Sequence, residues 1–87
     1  MYRVILTKRA RKGLEKAPVH IKRRSFEALD ALQESFAPVR LFDVRRLKGY
    51  ESVFRIRIGD WRIVYEFRKG EGAIIALDIG PRGRIEY

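Results

Sequence analysis

The segment VFRIRIGDWRIVYEF, Val53 to Phe67, constrains the fold more tightly than any other part of the chain. Apolar and polar residues alternate on both sides of a Gly59-Asp60 pair, the period of two half-buried strands. A two-residue loop with glycine first is the signature of a type II′ hairpin turn, and a tight turn fixes the register of the strands it joins. Counting outward, Ile58 opposes Trp61, Arg57 opposes Arg62, Ile56 opposes Ile63, Arg55 opposes Val64 and Phe54 opposes Tyr65. One face of the hairpin carries Phe54, Ile56, Ile58, Trp61, Ile63, Tyr65 and Phe67, and needs a second layer to cover it. The other carries Arg55, Arg57 and Arg62.

The remaining segments supply that layer. Tyr2–Thr7 is short and β-branched and reads as a strand. Thr7 is placed to cap a helix through KRARKGLEKA, which Pro18 stops and Gly13 weakens. A second helix starts at Val19 and ends near FAPVR, where Pro38 forbids continuation. Ile21, Ser25, Ala28 and Leu32, with Phe26, Leu29 and Phe36, form its apolar stripe. Leu41–Ser52 has no clean period and crosses to the sheet, with a short extended piece at its start. A last strand, Ala73–Ile79, follows RKGEG, and its Ala73, Ile75, Leu77 and Ile79 are expected to continue the covered face. Val64, Glu66, Ala76 and Asp78 then lie near the arginines. The order β-α-α-β-β-β predicts a single α+β domain over residues 1–87, an antiparallel sheet with a helical hairpin on one face.

Folding alone has little use for the arginines. Like charges directly opposite in a ladder are destabilising, and threonine suits an exposed strand position better. Water could take up the long side chains, with Asp78 or Glu66 compensating. The functional reading is an anion site on a rigid sheet, because guanidinium is a planar, multidentate donor matched to phosphate. The whole chain supports it. The net charge is +9 with a pI near 10.5, and residues 1–24 hold nine Lys/Arg against the single acid Glu15. Such a balance implies a polyanionic partner. Tyr87, with Arg82 and Arg84 nearby, suggests base stacking or a bond to a ribose hydroxyl.

Other chemistries find no support. The chain has no cysteine, which removes disulfides and thiolate metal sites and suits a reducing cytoplasm. No His/Asp/Glu set has ligand spacing, so any reaction is expected to need neither metal nor other cofactor. The one histidine, His20, reads as a solvated surface residue, and Ser25 and Ser52 have no histidine base to form a triad. KGEG reads as a hairpin turn, since neither a helix nor a P-loop lysine follows it. No apolar run approaches a membrane span.

LKGYESVFRIRIGDWRIVYEF, followed by a third strand and the basic PRGRIEY, resembles the RelE/ParE superfamily of toxins from prokaryotic type II toxin–antitoxin systems. The likeness covers nearly the whole chain, with LKG upstream of the RIRIGDWRIVYEF core as its most specific part. It implies one of two activities on one fold: ribosome-dependent cleavage of mRNA in the A site, as in RelE-like members, or inhibition of DNA gyrase, as in ParE-like members. The RelE-like basic set falls on Arg55, Arg57, Arg62 and Arg82, with Arg84 a possible substitute for the last, and its tail tyrosine on Tyr87. That set favours the endoribonuclease. Family strand positions that are often lysine are arginine here, and arginine is a poor general base but a good electrostatic clamp.

The resemblance further implies a cytoplasmic protein restrained by an acidic, RelB-like antitoxin covering the arginine face. Its other partner would be the ribosome, with no membrane involved. Lys8, Arg9, Arg11, Lys12, Lys22, Arg23, Arg45, Arg46, Lys48 and Arg84 would grip RNA phosphates. A non-catalytic RNA- or DNA-binding module is the remaining alternative; it would bind polyanions and cleave nothing.

Overall fold

The structure, a computed structural model, describes residues 1–83. Strand β1 (Arg3–Leu6) leads into helices α1 (Lys8–Lys16) and α2 (Val19–Glu34), followed by β2 (Asp43–Arg46), β3 (Val53–Ile58), β4 (Trp61–Arg68) and β5 (Ala73–Pro81). The strands form one sheet in the order β1-β5-β4-β3-β2. The α+β class and the helical hairpin over the sheet are as expected, with two differences. Asp43–Arg46 is a full edge strand antiparallel to β3, and β1 runs parallel to β5, so the sheet is mixed.

The central hairpin has the register counted from the sequence, Arg57 opposite Arg62 included. Gly59 takes φ +58° while Asp60, the second turn residue, does not take a positive φ, as a type II′ turn requires. The covered face packs Ile56, Ile63, Tyr65, Ile74 and Ile79 against Ala10, Leu14, Ile21, Ala28 and Leu32 of the helices. Phe26, expected in the α2 stripe, is instead 52% exposed. It follows Ser25 by one residue, and the ~100° turn per residue carries it off the buried side.

Strand β5 corrects a second expectation. Its pairing with β4 shifts between Val64 and Tyr65, so Val64 opposes Asp78 while Tyr65 opposes Ala76, which leaves Leu77 as an extra residue. This bulge inverts the side-chain parity of the first half of the strand. Ile74 and Ala76 enter the core, whereas Ala73, Ile75 and Leu77 turn away from it, and Ile79 returns to it. Thr7 occupies the bulge. Its hydroxyl donates to the carbonyls of Ala76 and Leu77 at 3.0 and 3.1 Å, and accepts from the Ala10 N–H at 3.1 Å. One side chain thereby caps α1 and fastens it to the sheet.

Gly13, which weakens α1 as an isolated helix, is what lets that helix close on the sheet. A Cβ at this position would lie 1.8 Å from the Ile79 carbonyl oxygen. No helix among the described residues is long and apolar enough to cross a membrane.

Candidate functional site

The uncovered face of β2, β3 and β4 divides into two halves. Val53 and Val64 pack with Leu47 and Leu77 into a small apolar patch. Beyond it, toward the Gly59-Asp60 turn, lie the arginines. Arg55 sits at the boundary and is 7% exposed. Its guanidinium donates to the Asp43 carbonyl at 3.2 Å and lies 3.5 Å from the Asp43 carboxylate. Burial pulls the Arg55 pKa down, Asp43 pulls it up, and the neighbouring cations Arg57 and Arg45 pull it down again.

Asp43 is the counterion of this face, and the sequence did not disclose it. Its carboxylate is also 3.8 Å from both Arg45 and Arg57. The acids expected in that role are engaged elsewhere: Asp78 with Arg9 at 3.0 Å, and Glu66 with Arg68 at 3.0 Å. Asp43 hid in a segment with no clear period. The signal was present in the alternation of FDVRRL, read with the turn behind it. In that turn Gly49 takes φ +90°, Tyr50 N–H bonds the Leu47 carbonyl and Leu47 N–H bonds the Val53 carbonyl.

One carboxylate serves three guanidiniums, which leaves donors over. The Nε atoms of Arg57 and Arg62 are shielded from water, and neither has a hydrogen-bond partner among the described residues. These two arginines oppose one another directly. Arg82 stands beside them, its backbone N–H bonded to the Asp60 carbonyl at 2.8 Å. Asp60, Arg62, Pro81, Arg82 and Gly83 line an open hollow of roughly 470 Å³. The structure thus brings Arg57, Arg62 and Arg82 to the turn end of the sheet and withdraws Arg55 behind them. Arg84 and Tyr87 lie outside the described residues.

The residues expected to grip RNA are spread over several surfaces. Arg45 is on the arginine face, while Arg46, one residue on, turns to the opposite side with its guanidinium 5.7 Å from the Phe54 ring centre. Lys48 is exposed in the β2–β3 turn. Lys8, Arg9 and Lys12 line a cleft between α1, Trp61 and Pro81. Arg11 and Arg23 are exposed and Lys22 is half-buried, all away from the arginine face on the helices.

An anion with several oxygens fits this geometry. Arg57 and Arg62 offer fixed positive charge on a rigid hairpin, with unfilled donors and no need to reorganise when charge develops.

Comparison with known proteins agrees with that architecture. Residues 4–86 match the family described as the ParE toxin of the type II toxin–antitoxin system parDE. The chain is 32% identical over 81 residues to a protein named putative toxin RelE1 of Methanocaldococcus jannaschii, covering 93% of this chain and 90% of that one. Among solved structures, it resembles a chain of the archaeal RelE–RelB complex from Pyrococcus horikoshii OT3 at 35% identity and a TM-score of 0.83, covering 97% and 98% of the two chains. A chain of the RelB–RelE antitoxin–toxin complex from Methanococcus jannaschii matches at 28% identity and a TM-score of 0.78, with 91% of each chain covered. The chain belongs to the RelE/ParE superfamily and is a toxin of a type II, RelBE-like toxin–antitoxin system.

Proposed function

We propose that this toxin is a ribosome-dependent endoribonuclease that cuts mRNA in the A site and so arrests translation in the cytoplasm. The observation that carries the reading is the facing pair Arg57 and Arg62, each with a shielded Nε that makes no hydrogen bond among the described residues, Arg57 Nε having only the Asp43 carboxylate at 3.8 Å. A ribose 2′-oxygen attacks the adjacent phosphorus. The O2′–P bond forms as the P–O5′ bond breaks, giving a cyclic phosphate and a 5′-hydroxyl. The 2′-hydroxyl releases a proton and the 5′-oxygen takes one up, so neither acid nor base is consumed. Arg57 and Arg62 stabilise the charge that builds on the phosphorane oxygens, with no metal required. Arg82 neutralises the leaving oxygen, and Tyr87 orients the nucleotide.

Arg55 takes a different part. Its burial and its bonds to Asp43 support a role in positioning Arg57 and the β2–β3 ladder rather than in touching substrate. None of these arginines serves as a general base, because a guanidinium stays protonated. Electrostatic donors of this kind are commonly worth about 10²–10³ in rate. Arg62→Ala is therefore expected to abolish toxicity while the protein still folds. A folded, fully toxic variant refutes the assignment. A RelB-like antitoxin is the expected restraint, as the RelE–RelB complexes of the structural relatives support; that it is acidic and covers the arginine face is inferred from the charge of that face.

One observation favours a second reading. The matching family is described by its ParE members, and ParE-like toxins act on DNA gyrase. A supercoiling assay separates the two, since the endoribonuclease leaves gyrase untouched.

A further inference from the structure

The cleft beside α1 holds an arrangement the catalytic reading leaves unused. Lys8, Lys12 and Lys16 recur every fourth residue, so they stack on one side of the helix about 6 Å apart along its axis. They face the half-buried Trp61 across an opening of roughly 820 Å³, with Arg9 and Pro81 completing the wall. No carboxylate is among the residues that line it.

Helix physics opposes this ridge. Like charges at i,i+4 cost a few tenths of a kcal/mol per pair, and the helix dipole disfavours Lys8 in the first turn, although it favours Lys16 in the last. Yet the first turn of α1 holds no acid. Arg9 has an internal partner in Asp78 at 3.0 Å, whereas no ion pair to Lys8, Lys12 or Lys16 is seen among the described residues. The helix cannot relax the ridge by moving, because Gly13 holds it against the Ile79 carbonyl.

We propose that this cleft is a second RNA subsite, which takes an unpaired stretch of single-stranded RNA with its phosphates on the lysine ridge and a base stacked on Trp61. Four residues of helix rise approximate the separation of successive phosphates in a single strand. An indole gives a flat partner to any base, and every nucleotide brings one, whereas carboxylate side chains bring none. The cleft also joins the arginine site: Pro81 lines both openings, and Trp61 pairs with Pro81 and precedes Arg62. A strand lying in the cleft would run on into the arginine hollow. The choice of RNA as ligand rests on the endoribonuclease reading, while the cleft itself does not.

Trp61 is the single tryptophan of the chain and reports on its own site. The probe is a 2′-O-methylated hexauridylate, which cannot be cleaved, titrated into the full chain without ribosomes while fluorescence is followed. Saturable quenching is expected. The triple variant Lys8→Ala, Lys12→Ala, Lys16→Ala should weaken binding and reduce the slope of log affinity against log salt by about 2, at about 0.7 for each phosphate no longer neutralised. The same variant should melt at an equal or higher temperature, because its like-charge pairs are gone. Trp61→Phe keeps a smaller ring and should bind measurably more weakly by anisotropy; Trp61→Leu should lose about 5- to 150-fold.

Binding without any change in Trp61 emission overturns the proposal, as does an unaltered salt slope in the triple variant. Quenching by a hexaglutamate peptide at equal concentration and ionic strength also overturns it, and assigns the cleft to an acidic protein segment. Quenching in a protein that cuts no mRNA on ribosomes keeps the subsite and refutes the proposed reaction instead.

Discussion

Gly13→Ala is a substitution for which helix propensity and tertiary packing demand opposite signs. As an isolated helix, α1 would gain about 1 kcal/mol from alanine. In the fold, the new Cβ would lie 1.8 Å from the Ile79 carbonyl oxygen, so helix and strand must part by about 1.5 Å to reach van der Waals contact. That oxygen belongs to strand backbone hydrogen-bonded into the sheet and cannot swing aside. The helix must move, and with it Ala10 and Leu14, which are 0% and 6% exposed. Overpacking a core typically costs about 1–3 kcal/mol, and more where backbone meets backbone. With backbone against backbone the cost lies at or above the top of that range, so after the helix gain of about 1 kcal/mol the net expectation is destabilisation by about 2 kcal/mol. For a domain of this size that lowers Tm by roughly 4–8 °C per kcal/mol. Thermal unfolding followed by circular dichroism measures it, with Lys12→Ala, exposed on the same helix, as control. A Gly13→Ala protein that melts at or above the parent temperature refutes the close approach, and with it the geometry of the lysine cleft.

Three further outcomes follow from the same contacts. Asp43→Asn should cost about 1–2 kcal/mol, between an exposed ion pair and a buried one, since Arg55 keeps its bond to the residue 43 carbonyl. In a double-mutant cycle with Arg55→Met the two losses should not add, and simple additivity would remove Asp43 from its role. Tyr65→Phe deletes the 2.7 Å bond from the phenol to the Phe36 carbonyl; chemical denaturation should show a loss of about 1 kcal/mol. Burial raises the Tyr65 pKa well above its ordinary value, so the folded chain keeps this phenol neutral where the unfolded chain ionises. Its stability contribution is therefore full below about pH 10 and declines as pH rises beyond. Denaturation midpoints from pH 8 to 11 should fall less steeply in Tyr65→Phe; identical slopes would contradict the account.

The hairpin was legible because two independent rules agreed on it. Alternation assigned the faces and the two-residue glycine turn set the register, so Arg57 could be placed opposite Arg62 from the residues alone. Strand β5 was harder for a plain reason. In AIIALDI apolar residues occupy both parities, so nothing in the pattern marks the bulge that puts Ile74 and Ala76 inside. Strand β2 is four residues long at the sheet edge, with three of them charged, so the alternation of FDVRRL is legible only together with the turn that follows it. Its Asp43 acts through space on Arg55, twelve residues ahead, which no local rule reports. Gly13 shows the limit of propensity: a residue that weakens a helix locally is the one that lets it dock.

The remaining logic of the arginine face is a balance of charge. Asp43 offsets enough repulsion for Arg55 to lie buried, and Arg57 and Arg62 keep donors in reserve. Arginine suits this task better than lysine, since its charge persists at any physiological pH and its planar fork can hold two phosphate oxygens at once.

The most direct test adds the purified protein to ribosomes programmed with a defined mRNA, and to the same mRNA free in solution, and maps the new 5′ ends. Cuts within the A-site codon, only where ribosomes are present and lost in Arg62→Ala, are the expected result. An mRNA left intact in both tubes by a folded protein would contradict the endoribonuclease and reduce the facing arginines to a docking surface.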